Sequence, residues 1–400
     1  MKMIYHIYTI IVLGMTLGAT NTAVADDERA VFRDWLGAVR VDAHKQGVSE
    51  KHLRLLDNLT PDMKVRELAA RQPEYVKPIW GYLDLMITDQ RIALGQAALA
   101  AHADFFNTLE VKYGLPRTIL TAIWGVETNY GSNKGSFSVL RSLASLGYEG
   151  TRAKFGRQQL LAALSILEDG DIPPDEMTGS WAGAMGHTQF IPTTYQAYAA
   201  DGTGDGKRDI WNEPHDALAS AANYLKVSGW KRGLPWGFEV QLPPNFDYAQ
   251  ARIKAPQAVS VWRKQGVISR THELDDRLGD VSIFVPGGAR GPAFLVTRNF
   301  RALLRYNTAP AYALAVGRLS LRFEGDAPLH KDWAKEDRPL RSEEIADLQK
   351  ALLRFAYDIG KADGILGRRT RAAVRDYQKK QGLRADGYAT PGLLQYIKGH

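Results

Sequence analysis

The chain has 400 residues, 45% hydrophobic and 24% charged, with no low-complexity tract, which excludes a disordered or fibrous protein and allows two or three domains. The formal charge is +7, but basic and acidic residues are interspersed, so composition supplies no nucleic-acid footprint. Cysteine is absent, excluding disulfides and lipid-modified cysteine, while nine Trp and 17 Tyr supply amphipathic rings suited to stacking on sugars.

Residues 1–25 read as a transport signal. Lys2 provides the positive charge, Ile4 to Leu17 is largely apolar, and Ala23-Val24-Ala25 makes a small-residue cleavage site before Asp26. His6, Tyr8, Thr9 and Gly14 interrupt the apolar run, which argues against a permanent membrane anchor. An exported, soluble, periplasmic protein that is not a lipoprotein is expected.

Two helices are predicted over 28–57, the first from Val31, Trp35, Leu36 and Val39, the second from an N-cap at Ser49 to Leu56. Pro73 to Pro78 breaks the pattern. Ile79 to Leu109 reads as one long amphipathic helix, with Tyr82, Leu85, Met86, Ile92 and Leu99 near one face. The turn Tyr113-Gly114-Leu115-Pro116 launches a short buried helix that ends at Glu127. Arg152 to Leu167 is helical and stopped by Pro173-Pro174, and Thr193–Ala200 and Asp216–Val227 are helices flanking an acidic loop.

From Gly237 the pattern changes. Ala258–Trp262, Val281–Val285 and Ala293–Val296 read as strands, with a turn at Asp275–Gly279, so a small β-containing subdomain is placed at about 237–298. Phe300 to Val316 returns to helix. Residues 324–339 are polar, aperiodic and Pro-containing, which reads as a linker. Residues 340–400 form a separate small helical module, in which Asp363-Gly364 and Asp386-Gly387 make a weak internal echo, each after a helical stretch.

The chemistry centres on Glu127. Ile123, Trp124 and Val126 give it an apolar setting, which keeps a carboxylic acid protonated near neutral pH and able to protonate a leaving oxygen; Asn129 and Tyr130 are placed to orient it. A solvated helix end, or a buried partner for an arginine, are the plainer readings of the same residue. The stretch Gly179–Pro192 alternates small and polar residues, which suits backbone packed against a ligand.

Gly125-Val126-Glu127-Thr128-Asn129-Tyr130-Gly131, Ser180-Trp181-Ala182-Gly183-Ala184-Met185-Gly186 and Gln189-Phe190-Ile191-Pro192 closely resemble lytic murein transglycosylases of the membrane-bound B type, glycoside hydrolase family 103. The likeness continues through Asp201–Leu225 and Tyr306-Asn307, covering most of residues 30–320. It implies a mainly α, lysozyme-like catalytic domain over 26–323. It also implies cleavage of the β-1,4 bond between N-acetylmuramic acid and N-acetylglucosamine in peptidoglycan. The muramyl C6 hydroxyl attacks C1 and leaves a 1,6-anhydro end, and one carboxyl, Glu127, serves as acid and then base, unlike the usual glycosidase pair. By the same resemblance Ser180 and Gln189 line the groove, and Arg152 contacts substrate carboxylates. Tyr306, Asn307 and Tyr312 sit beside the acid, with Tyr82 on the opposite wall. Taken one at a time, these residues read equally well as a turn cap, a solvated helix residue or core.

The loop Asp201-Gly202-Thr203-Gly204-Asp205-Gly206-Lys207-Arg208-Asp209 has oxygen ligands at alternate positions and Gly at the sixth, as an EF-hand-type calcium loop requires. Thr203 stands where a carboxylate is usual, Lys207 offers only its carbonyl, and the twelfth residue is Asn212; the resemblance implies closure by Asp216 and a structural Ca²⁺. A metal-free turn held by Asx-type hydrogen bonds is the alternative. No cofactor is expected for the chemistry itself.

Residues Arg341 to Ile397 resemble the type 1 peptidoglycan-binding domain through Leu348-Gln349, Asp363-Gly364-Ile365-Leu366-Gly367, Thr370, Ala373-Val374, Tyr377-Gln378, Gly382-Leu383 and Asp386-Gly387. Such a module tethers an enzyme to its polymer; with only His400 available, no metal is expected in it. Glycan strands of peptidoglycan are the expected partner, with cell-wall synthases or amidases beside them. A monomer is expected, without nucleic acid. A hydrolytic muramidase and a non-catalytic wall-binding scaffold are the competing readings.

Overall fold

The computed structural model describes residues 16–70, 77–326 and 328–399. Residues 1–15 of the transport signal, with Lys2 and most of its apolar run, and Pro73 within the predicted break lie outside these residues. Among the described residues the chain is mainly helical, and no helix is long and apolar enough to cross a membrane. It divides into two units, Met1–Ala70 with Gly135–Met185 and Phe190–Ala197, and Arg71–Lys134 with Gly186–Gln189 and Tyr198–His400.

The first unit is a helical cluster built on Thr16–Lys45, Met63–Ala70, Val139–Tyr148 and Ala153–Asp169. Its core packs Phe32 against Trp35 and Tyr148, with ring centroids 5.9 and 5.2 Å apart. The predicted second helix is only one α-turn, Glu50–Leu53, followed by a 3₁₀ turn, Arg54–Leu56. Ser49 stands at its N-cap but donates to Glu168 Oε2 from both its amide and its hydroxyl, at 3.0 and 2.8 Å. A two-residue ribbon pairs Phe137 with Gly179 and Ser138 with Thr178, and Met185 bridges antiparallel to both Gly179 and Phe190.

The second unit has three parts. Its helical part buries one core that runs from Leu83 and Phe106 through Leu120 and Ile123 to Leu218, Phe300 and Leu319. The predicted long helix over 79–109 is three helices instead: Ile79–Met86, Asp89–Ala101 and Ala103–Tyr113. Thr88 restarts the chain by accepting the Arg91 amide on its hydroxyl, at 3.2 Å, a capping bond that a continuous helix would not need. Arg117–Thr128 follows, almost wholly buried as far as Gly125. Likewise the predicted 300–316 helix is Arg298–Tyr306 and Pro310–Phe323, parted at Asn307.

The β-subdomain is a four-stranded antiparallel sheet in the order Gly237–Val240, Ala293–Val296, Asp280–Phe284, Gln257–Ala258. The stretch read as a strand at 258–262 is strand only to Ala258; Val259–Lys264 is a helix. It buries Trp262, whose indole N–H donates to Val281 O at 3.1 Å, so the apolar run serves a helix face. The C-terminal module packs Ser342–Arg354, Arg368–Lys380 and Pro391–Lys398 around Leu348, Leu352, Val374 and Leu394.

Candidate active site

Glu127 lies in the last turn of the Arg117–Thr128 helix. Thr118 to Gly125 are buried, so the helix is fixed by its core face and delivers Glu127 where the chain must turn. The residue keeps some exposure, but its carboxyl group is surrounded by protein, and burial pushes its pKa up to about 7; the hydrogen bond from Tyr312 opposes that rise. Tyr312 Oη donates to Glu127 Oε1 at 2.7 Å. At neutral pH such a group is divided between acid and carboxylate, as one residue serving as acid and then base requires.

Two further tyrosines, Tyr82 and Tyr306, feel that carboxylate. Tyr306 stacks on Tyr312 with centroids 6.4 Å apart and planes 5° from parallel, and its hydroxyl donates to Thr188 O at 2.7 Å. Burial raises the pKa of Tyr82, Tyr306 and Tyr312, and the charge of Glu127 raises each further. All three are neutral phenols at working pH. Tyr224 extends the cluster, edge-on to Tyr306 at 5.1 Å, with its hydroxyl on Arg305 O at 2.6 Å.

The helix end is locked from behind. Asn129 takes the left-handed conformation that terminates a helix, and Tyr130 is also left-handed at φ 60°, unusual for so bulky a residue. Tyr130 folds back so that its hydroxyl donates to Arg91 O at 2.7 Å. A Cβ on Gly125 would lie 2.6 Å from that hydroxyl, so only glycine admits the ring there. Thr128 Oγ1 donates to His187 O at 2.7 Å and accepts from Gly131 N at 3.0 Å. Trp124 Nε1 donates to His187 Nδ1 at 3.0 Å; burial, then the charge of Lys134, hold His187 down to about 4, so it remains the neutral acceptor. Thr128 and His187 have no sequence signal, because their bonds join residues about sixty positions apart.

Gln189 sits at φ 54° and spends its amide N–H groups on Lys134 O and Gly186 O, at 3.1 and 2.9 Å. Asn307 caps the Arg298–Tyr306 helix and accepts from Ala309 N at 3.1 Å. Ser180 and Arg152 belong to the first unit. There Ser180 Oγ accepts from Ala184 N at 3.0 Å, leaving its own proton to donate, and the Arg152 guanidinium lies 5.1 Å over the Trp181 ring.

In the acidic loop, carboxylate oxygens of Asp201, Asp205 and Asp216 lie within 4.8 Å of one another. Asp216 is fully buried and accepts from Gly202 N, Thr203 N and Asp209 N. Burial raises its pKa against those bonds, and the charge of Asp201 adds to the rise. Asp209 turns one oxygen to Trp211 N and Asn212 N, at 2.9 Å each, Thr203 Oγ1 donates to Asp201, and Lys207 N donates to Asp205. Three converging carboxylates, one buried, match the all-oxygen donor set of a hard cation.

Residues 31–321 match the family described as Transglycosylase SLT domain, and residues 341–397 match a putative peptidoglycan binding domain. The chain is 30% identical over 273 residues to membrane-bound lytic murein transglycosylase B of Escherichia coli (strain K12), which covers 67% of this chain and 72% of the relative. Among solved structures, SltB3 from Pseudomonas aeruginosa in complex with NAG-anhNAM-pentapeptide is 46% identical with a TM-score of 0.87, covering 92% of this chain and 99% of that one. Escherichia coli Slt35 in complex with calcium is 26% identical with a TM-score of 0.64, covering 73% and 92%.

Proposed function

This chain belongs to the transglycosylase SLT family and is a lytic transglycosylase that degrades peptidoglycan, and we propose that Glu127 is the single acid and base of its reaction. The observation that carries the assignment is the buried carboxyl of Glu127 with its pKa near neutrality and one neutral phenol bonded to it. Among the described residues, burial and Tyr312 are the influences that set this pKa, and no second carboxylate figures among them. In the first unit, the Glu149 carboxylate is paired with Arg66.

In the first step, protonated Glu127 gives its proton to the glycosidic oxygen as the bond from that oxygen to muramyl C1 breaks. Tyr312 holds Oε1, which leaves Oε2 as the donor atom. The carboxylate so formed then takes the proton of the C6 hydroxyl while O6 bonds to C1, closing the 1,6-anhydro ring. Tyr312 stabilises that carboxylate as it appears, because its hydrogen bond is stronger to the charged form. Tyr82, Tyr306, Asn307 and Gln189, with Ser180 and Arg152 of the first unit, are assigned to substrate binding on the strength of their motif positions.

The chain is exported through residues 1–25 and works in the periplasm as a soluble monomer, beside synthases or amidases. Residues 26–323 form the catalytic part and 340–400 a wall-binding module beyond the 324–339 linker. Asp201, Asp205 and Asp216, with Thr203, Asp209 and the Lys207 carbonyl, hold a structural calcium ion that fixes the loop; catalysis requires no cofactor. Mass spectrometry of products from purified sacculi tests the central assignment. Wild type releases anhydro-muropeptides, and Glu127→Gln binds sacculi but releases none; activity surviving that change refutes the role of Glu127.

A further inference from the structure

An open cavity of about 480 Å³ lies where the β-subdomain and the linker meet Arg384 of the C-terminal module, its walls drawn from stretches far apart in sequence. Three cations line it: Arg270 from the β-subdomain, Lys331 from the linker and Arg384 from the module. The one carboxylate lining it, Glu239, is already satisfied, since its two oxygens accept the amides of Lys331 and His330 at 2.9 and 2.7 Å.

The cations are partnered unequally. Lys331 Nζ donates to Ala289 O at 2.8 Å. Arg270 reaches the side-chain oxygen of Gln241 from Nε and Nη2, at 3.0 and 3.1 Å, with that amide turned to face it. The Arg384 guanidinium makes no hydrogen bond among the described residues. Burial lowers the pKa of Lys331, and the charge of Arg384 lowers it further, against the opposing pull of Glu239. Two like charges from separate parts of the chain thus face one cavity, and among the described residues Glu239, already held by two amides, is the one carboxylate that lines it. An electrostatic deficit of this kind is relieved by an anionic ligand.

We propose that this cavity binds a free carboxylate of a peptidoglycan peptide stem, with Arg384 and Lys331 as its charged contacts. Arginine presents a planar fork that matches a carboxylate, and the Lys331 ammonium adds a second donor. Pro243, Tyr248 and Val285 supply an apolar floor suited to short side chains such as alanine. The proposal rests on the reading of peptidoglycan as substrate. It gives the module a role beyond tethering: together with the β-subdomain it reads the peptide as the catalytic part reads the glycan.

The test is titration of the full-length chain with a synthetic stem pentapeptide, and with the same peptide carrying amides in place of its carboxylates. The free peptide should bind, the amidated one should not, and Arg384→Ala or Lys331→Ala should each weaken binding by about tenfold, the loss of one charge-assisted contact. Arg384 is exposed, so its replacement leaves the fold intact. In turnover, Arg384→Ala should raise KM on peptide-bearing strands and leave peptide-free strands unaffected. No binding of the free peptide, or equal binding by wild type and Arg384→Ala, or equal binding of the amidated peptide, overturns the proposal. Release of anhydro ends from peptide-free strands tests the catalytic reading separately.

Discussion

Replacing Tyr312 by Phe removes one oxygen, the donor 2.7 Å from Glu127 Oε1, and leaves the ring that stacks on Tyr306. The bond favours the carboxylate and so holds the pKa of Glu127 below the value that burial alone would set. A hydrogen bond to a charged group contributes about 1.5–3 kcal/mol, and one pKa unit corresponds to about 1.4 kcal/mol. Loss of the phenol should therefore raise the Glu127 pKa by about one to two units, from about 7 to roughly 8–9. The first step needs the protonated acid, so kcat/KM falls as pH rises through that pKa. The basic limb of the profile should move upward in Tyr312→Phe, while the maximum rate falls because the emerging carboxylate has lost its donor. The assay is release of anhydro-muropeptides from sacculi between pH 5 and pH 10. A limb that stays in place, or moves to lower pH, would refute the assignment of that limb to Glu127.

Glu127→Gln should stabilise the protein at high pH. A folded pKa raised from 4.5 to about 7 makes stability fall as pH rises through that window, with a full penalty of about 3 kcal/mol above it, so the variant's melting temperature should exceed wild type at pH 8.5 and match it near pH 4. If the acidic loop holds calcium, adding Ca²⁺ to chelator-treated protein should raise the melting temperature, and Asp205→Asn should diminish the shift; no shift at millimolar Ca²⁺ would remove the ion from the account. Gly288→Ala should free the module from the β-subdomain, because a Cβ there, at φ 71°, would lie 2.9 Å from both Asp386 Oδ2 and Tyr388. Proteolysis within 324–339 should then accelerate while the module's own amide signals persist, and unchanged cleavage would count against the docking bond.

Legibility in the sequence followed the range of the interactions. The helix ending near Glu127 is readable because its apolar residues are contiguous after the Tyr113–Pro116 turn, and the structure closes it at Thr128 with a left-handed Asn129. Tyr306 and Tyr312 lie about 180 residues away and entered only through family resemblance, since nothing local marks a tyrosine as facing a carboxylate. His187 was silent for a similar reason: its function is to be neutral and bonded to Trp124, a property created by burial. The two misread helices show the opposite limit. Ile79–Leu109 and Phe300–Val316 keep their apolar spacing across the breaks at Thr88 and Asn307, so periodicity alone joins what capping bonds divide. At Val259–Trp262 the β-branched residues favour a strand, but burial of Trp262 on one helical face decides the outcome.

The echo within the module turned out to be physical. Gln349 donates to Asp363 Oδ1 and accepts from Gly364 N, at 2.9 Å each, while Asp363 Oδ1 also accepts from Ile365 N. Gln378 donates to Asp386 Oδ1 at 2.9 Å and accepts from Gly387 N at 2.8 Å, and Asp386 Oδ1 likewise accepts from Tyr388 N. Each half thus spends a buried glutamine on pinning an Asp-Gly turn to the preceding helix, where an unmade bond would be costly. The halves differ in what the second carboxylate oxygen does. Asp386 Oδ2 accepts from Ala289 N at 2.8 Å, so the same residue that closes its own turn also docks the module on the β-subdomain. Beside that bond, Glu239 holds the linker amides and Lys331 holds Ala289 O, so linker, β-subdomain and module meet around an open, positively charged cavity. The cavity leaves its cations accessible, which is the arrangement a ligand-reading junction needs.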